Sequence, residues 1–301
     1  MSKPSNKSKR SKTTKAPPKK GTKPQLPFLD QLTAKQLHLL GIGVFALLGL
    51  IVFWLYLSGQ FFYLFKDTGS DTVNLYWPNF VNTADYFRQY GWPTWSFQQG
   101  MGQNILPYSI GDPFNWIMYF MGADRLHAGI AWAEYFKVIA AGSFFLAFLR
   151  NLGVKNLTAL IGGILYAFSG FMILGGTWYI FSSEAVFFAL LLWSFELLYQ
   201  KKQVLLFPIA VCLLGAYNPF DWFTYGLILL FYAGMRHFAA AKKPAEFGQL
   251  IGQLVLYGAL GVGLSAFLSV SGIMQILNSP RVEGDSRFFS TLAGTGLFSL
   301  E

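Results

Sequence analysis

Asp67 and Asp71 stand four positions apart just beyond a long apolar run, so on a helix they would share one face. A carboxylate at the edge of an apolar phase can take the proton from a hydroxyl as that oxygen attacks an activated sugar carbon. A pair of them can equally hold a divalent cation, and the plainest alternative is two solvated loop acids. The same stretch is rich in flat rings, with Tyr76, Trp92, Trp95, Tyr108, Trp116 and Tyr119 among them. Such rings either anchor a chain at a membrane surface or pack against sugar faces while polar neighbours such as Asn104 fix orientation. The segment GMGQN, Gly100–Asn104, predicts a tight backbone passage between those rings.

A second group lies inside an apolar run. Glu134 and Lys137 are spaced to pair with each other on one helix, and ionisable groups at such depth need a partner. If they do not pair, Lys137 could face a cavity and meet the phosphate of a lipid-linked donor. Glu184, Arg281 and Arg287 could border the same cavity, because the planar fork of arginine suits phosphate, although snorkelling and solvated roles fit them as well. No Walker loop is present, so neither ATP-driven transport nor a nucleotide cofactor has support. Gly261 and Gly263 sit within an apolar run with no strand before them and read as close-packing positions. The three histidines are scattered, and Cys212, the one cysteine, reads as a small buried apolar residue with no disulfide partner. A divalent cation is therefore the one cofactor the residues suggest, and its ligands are not legible.

These side chains must be positioned by helices that cross a bilayer. Apolar runs fall at about Leu37–Leu57, Ala128–Leu149, Leu157–Leu174, Glu184–Tyr199, Val204–Ala216, Pro219–Met235 and Gly248–Leu277, most of them near the ~20 residues a spanning helix needs. The expected fold is all-α, a polytopic membrane protein with about seven spans. The connecting basic residues set its orientation. With the N-terminus inside, seventeen of the 23 Lys and Arg fall on inner segments, as the positive-inside rule requires. The C-terminus is then outside, together with Asp67, Asp71, Asp85, Asp112, Asp124 and Asp221.

The chain is 53% hydrophobic and 18% aromatic, with only 12% charged residues, which excludes an ordinary soluble domain. The net charge of +9 would suit nucleic acid, but nine of the basic residues precede position 24 and the remainder is balanced. That concentration argues against a nucleic-acid partner and for membrane lipids as the neighbours of the tail. Residues 1–35 read as a disordered basic cytoplasmic tail, 36–277 as the membrane domain and 278–301 as an exoplasmic segment that predicts a chain continuing further. Between the first two spans, residues 59–127 form a long outer loop, and loops of that length in compact proteins carry function. Two elements are predicted within it, a segment Thr72–Tyr90 that ends at Gly91 and Trp92–Pro93, and a short run Pro113–Met121 that Asp112 could cap.

Five segments together resemble the bacterial YfhO-like membrane proteins. They are DTVNLYWP at Asp71–Pro78, WSFQQGMGQN at Trp95–Asn104, YSIGDPFN at Tyr108–Asn115, FKVIAAGSFFLAFLRNLGV at Phe136–Val154 and ILYAFSGFMI at Ile164–Ile173. The likeness covers about Phe61 to Arg281, and members of that family are considerably longer. It implies a GT-C-like fold in the bacterial cell membrane and transfer of a sugar from a polyprenyl-phosphate carrier to a cell-wall polymer, such as teichoic acid, or to a glycolipid. It places Asp71 where such enzymes have a loop-one aspartate proposed to be catalytic, with Tyr76 and Pro78 in the same motif. Leu75 stands where glutamine is common, and Asp112 where serine is usual. Two other classes share these features: a transporter or flippase of a lipid-linked or anionic solute, and a non-catalytic membrane partner. Transfer changes the substrate covalently, whereas transport does not.

Overall fold

The computed structural model describes residues 27–63, 71–174, 178–241 and 243–277. It is an all-α membrane protein whose single sheet, among the described residues, is a two-residue hairpin. Helical structure begins before position 36. A short helix α1 (Pro27–Asp30) leads into α2 (Ala34–Leu57), and the Asn156 side chain donates to the carbonyls of Leu29 and Leu32, tying this lead-in to the body. Thr33 starts α2 with a capping box: its hydroxyl accepts from the Gln36 N–H at 3.3 Å, and its own N–H donates to Gln36 Oε1 at 3.0 Å.

Every fourth residue of α2 from Leu37 to Phe53 is buried, a stripe that faces α6 (Leu126–Asn151) and α7 (Asn156–Ala167). Glycine makes this approach possible, since a Cβ on Gly41 would stand 2.8 Å from Leu146 Cδ1. The centre of the bundle is α6 against α9 (Tyr179–Lys201), where Ser182, Ser183, Ala185, Ala189 and Ser194 are all buried. At one end of this pair, Lys201 Nζ donates to Asn151 Oδ1 at 2.9 Å. Between them in sequence, the short α8 (Gly170–Leu174) follows α7. Beyond α9 come α10 (Leu206–Tyr217), α11 (Asp221–Ala239) and α12 (Pro244–Leu277), with α12 laid along α10.

Seven helices thus stand where the seven apolar runs are, and five of the described segments are long and apolar enough to cross a membrane. The 12 residues of α10 reach only about 18 Å at 1.5 Å per residue, short of a hydrocarbon core. It is held to its neighbour by Trp222 of α11, which fills the space over Gly215 and donates its indole N–H to the Val211 carbonyl at 2.9 Å.

The long loop forms a cap on one end of the bundle. A π-helical turn, Thr72–Tyr76, runs into α3 (Trp77–Tyr90), followed by the strands β1 (Trp95–Ser96) and β2 (Gln103–Asn104), α4 (Leu106–Ile110) and α5 (Asn115–Met121). The π turn has a local cause. Pro78 has no N–H to give the preceding turn, and the Trp77 N–H reaches back to the Thr72 carbonyl. The segment expected over Thr72–Tyr90 has those bounds and is helical throughout. At the hairpin turn, Gly100, Met101 and Gly102 all have positive φ. A Cβ on Gly102 would also sit 3.2 Å from both Trp95 Nε1 and Phe97 Cδ1, so glycine is needed there twice over.

Two packing expectations need correction. Gly261 is a close-packing position, since its Cβ would meet the Pro208 carbonyl at 2.6 Å, but Gly263 faces open space. Cys212 is half-buried rather than buried.

Candidate functional site

The cap and the bundle meet at a buried charged cluster. Lys137, in the first half of α6, is fully enclosed, and its ammonium donates to Glu134 Oε1 at 2.7 Å, the Tyr179 carbonyl at 3.1 Å and Ser182 Oγ at 3.3 Å. The pairing that the i,i+3 spacing allows is therefore present. A second carboxylate closes on the same lysine from the cap: Asp112 Oδ2 lies 3.7 Å from Lys137 Nζ and accepts from the Ser183 hydroxyl. Asp112 Oδ1 accepts from the Phe114 N–H at 2.9 Å, which closes the turn leading into α5; the helix itself starts at Asn115, two residues later than the run expected from Pro113, and Phe114 at its N-cap makes no side-chain cap bond. Asp112 is 0% exposed, and Glu134 2%. One side chain thus ties the start of α5, through Lys137 and Ser183, to both central helices.

The three ammonium protons of Lys137 are all spent on protein oxygens. A phosphate in the cavity would have to draw on other groups.

That cavity lies on the other side of Tyr179. It has a volume of about 380 Å³ and is walled by Tyr76, Asn79 and Thr83 from the π turn and α3, Gln99 and Gln103 from the hairpin, Ser109 from α4, Asn115 and Tyr119 from α5, and Tyr179, Tyr217 and Asn218 from the bundle. The lining mixes amides, hydroxyls and aromatic rings with the aliphatic Leu75, Ile105 and Ile180, and among the described residues it includes no basic side chain. Tyr76 forms an edge-to-face contact with Tyr179, the ring centroids 5.6 Å apart. Thr83 and Ser109 share a hydrogen bond at 3.3 Å. Burial pushes the Tyr119 phenol well above its usual range, and the nearby Asp112 charge adds to the effect. Tyr119 therefore remains a neutral phenol that can both donate and accept.

Asp71 stands at the N-terminal end of the π turn, half-buried, and makes no side-chain cap bond. It lies four and five residues before Leu75 and Tyr76, which both line the cavity, and is not itself among the lining residues.

The remaining expected residues are dispersed. Trp95 is half-exposed in β1, its ring 6.2 Å from that of Phe97, and it does not line the cavity. Asn104 accepts from the Leu106 N–H at 3.0 Å and donates to Ser271 Oγ of α12, which makes it a brace between hairpin and bundle. Glu184 is buried on α9 and accepts from the Tyr225 hydroxyl at 3.1 Å. Asp67 and Arg281 lie outside the described residues, as does the side chain of Tyr108.

Three residues of consequence were not singled out as site residues. Asp112 and Asp221, read as outer-face acids, are both buried, and Asn218, read only as a turn, borders the cavity. The signal available for Asp112 was the apolar run PFNWIMYF directly after it, which leaves a capping acid few ways to remain solvated. Among the described residues no group of three or more His, Cys, Asp and Glu converges as a metal cage would.

Comparison with known proteins gives one result for family. The family model for bacterial membrane protein YfhO matches residues 42–299. No curated protein and no solved structure matches the chain.

Proposed function

The chain belongs to the YfhO family of bacterial membrane proteins, and on that premise we propose that it is an integral-membrane glycosyltransferase that moves a sugar from a polyprenyl-phosphate carrier to a cell-envelope acceptor. The observation that carries this reading is the pairing of two unlike cavities at the α10–α11 turn. Asn218 borders the polar, aromatic cavity. Three residues on, Asp221 borders an apolar slot of about 280 Å³ lined by Leu191, Leu214, Leu230, Ile251 and Val255 among others. A sugar fits the first, where rings stack on its faces and amides bind its hydroxyls. An isoprenoid chain fits the second, and the phosphate that joins them falls at the turn.

In the proposed reaction Asp71 takes the proton from the acceptor hydroxyl, with Asp67 assisting. The freed oxygen bonds to the anomeric carbon, the bond from that carbon to the phosphate oxygen breaks, and the carrier phosphate leaves with the electron pair. Tyr76 holds the sugar against Tyr179. Proteoliposomes given a labelled carrier-linked sugar and a polyol acceptor should yield labelled acceptor. Labelled carrier crossing the bilayer intact would make the protein a flippase, and neither event would leave a non-catalytic partner.

The same reading places the cap outside the cell and the N-terminus within. In a Cys212→Ser background, Met101→Cys, at a fully exposed cap position, should react with an impermeant thiol reagent applied to intact cells. Lys243→Cys, between α11 and α12, should stay unlabelled. Labelling of position 243 from outside would reverse the orientation.

A further inference from the structure

Glu184 and Asp221 are two buried carboxylates without a counter-charge. Among the described residues the ion pairs are those of Arg88, Lys137 and Arg236, and none of them involves either acid. The two come from different helices, α9 and α11, and lie close enough for their charges to act on each other. A single amide stands between them: Asn218 Nδ2 donates to Asp221 Oδ1 at 3.0 Å, and the Asn218 side chain is also hydrogen-bonded to Glu184. Tyr225 supplies a further oxygen at 3.1 Å from Glu184 Oε2. Asp221 is only 4% exposed, and its Oδ2 has no hydrogen-bond partner among the described residues.

A lone buried carboxylate oxygen is costly, and a pair of like charges beside it more so. Buried acids are retained where they are paired or coordinate a cation. The oxygens gathered here, carboxylate, carboxylate, amide and phenol, are those of a hard divalent ion. Two protein carboxylates are also the usual protein share of a magnesium-type site, whose remaining positions go to water and to substrate phosphate. The polar cavity supplies the complementary need. Among the described residues no basic side chain lines it, and the ammonium of Lys137 is fully engaged behind its wall, so a phosphate there draws no positive charge from them.

We infer that Glu184 and Asp221, with Asn218 between them, hold a divalent cation that bridges the protein to the phosphate of a lipid-phosphate ligand. This rests on the proposed transfer reading for the identity of the phosphate, but the cation site stands or falls separately. The ion sits where the polar cavity and the apolar slot meet, and it neutralises both the acid pair and the phosphate.

The test is a Mn²⁺ titration of the purified full chain in detergent, followed by the loss of the free-ion electron paramagnetic resonance signal. Wild-type protein should bind one Mn²⁺ displaceable by Mg²⁺, and more tightly when polyprenyl phosphate is added. Asp221→Asn and Glu184→Gln should each weaken it by roughly tenfold or more, since even groups that only orient metal ligands cost 10–100-fold. Asp124→Asn, at an exposed surface pair, should leave it unchanged. Should either acid variant fail to fold, the wild-type titration still decides, because polyprenyl phosphate must tighten Mn²⁺ binding and removal of the ion must release the lipid. Wild-type protein that binds no Mn²⁺, or variants that bind it equally well, would overturn the site. Sugar transfer that continues unaltered in a strong chelator would reject the cation and leave the transferase reading standing. Mn²⁺ bound at this pair without any sugar transfer would do the reverse.

Discussion

Replacing Lys137 by methionine is expected to cost the folded protein about 3–5 kcal/mol, because it strands two enclosed carboxylates without their cation. Methionine preserves the length and apolar packing of the lysine stem, so the loss reports charge and not volume. Asp112 and Glu134 should not be equal in the rescue. Asp112 keeps the Phe114 N–H and the Ser183 hydroxyl when the lysine is gone, whereas Glu134 loses its 2.7 Å bond to Lys137 and is left with the Ser182 hydroxyl. Glu134→Gln added to Lys137→Met should therefore recover much of the melting temperature in detergent, and Asp112→Asn as a third change should recover the rest. An unaltered melting temperature in the single variant would mean the cluster does not form. The same series separates structure from binding, since a stable double variant that still binds the carrier lipid places the phosphate on other groups.

Asp71→Asn is expected to lower the transfer rate by roughly 10²–10⁴-fold, the usual contribution of a positioned general base. Its melting temperature should stay within the narrow range of surface changes, because the side chain is only half-buried and makes no cap bond. Donor binding should also persist, since asparagine keeps the shape and removes only the capacity to take a proton. Full activity in this variant would remove Asp71 from the chemistry and leave the cavity without its base.

How much of this could be read from residues alone follows from how local each feature is. All seven long helices lie on apolar runs, because the bilayer demands internally satisfied backbone and leaves few alternatives to a helix. The pairing of Glu134 with Lys137 was legible for the same reason: two ionisable groups three apart within one run have each other before anything else. The bounds of the segment Thr72–Tyr90 were legible from Gly91, whereas the π turn at its start was not, since it depends on how the chain accommodates Pro78.

What escaped was set by folding back. Asp112 looks like a capping acid in an outer loop, and its carboxylate does hold the turn before α5, yet the cap presses it onto Lys137 from a distance of 25 positions, and nothing local announces that. Trp222 turns inward over Gly215, a contact between two helices that no local pattern announces. Asn104 reads as a sugar-orienting amide, and its partner turns out to be Ser271, 167 positions away. The apolar slot is in the same position, as it exists only where α9 to α12 fail to close on one another.

The central claim is that carrier phosphate and sugar part company on this protein. The measurement that reaches it most directly follows one reaction in proteoliposomes by mass spectrometry, counting free polyprenyl phosphate and glycosylated acceptor over time. The account predicts that the two products rise together in equal amounts and that both fall away in Asp71→Asn. A carrier that reaches the opposite leaflet with its sugar still attached, and no free polyprenyl phosphate, would contradict it.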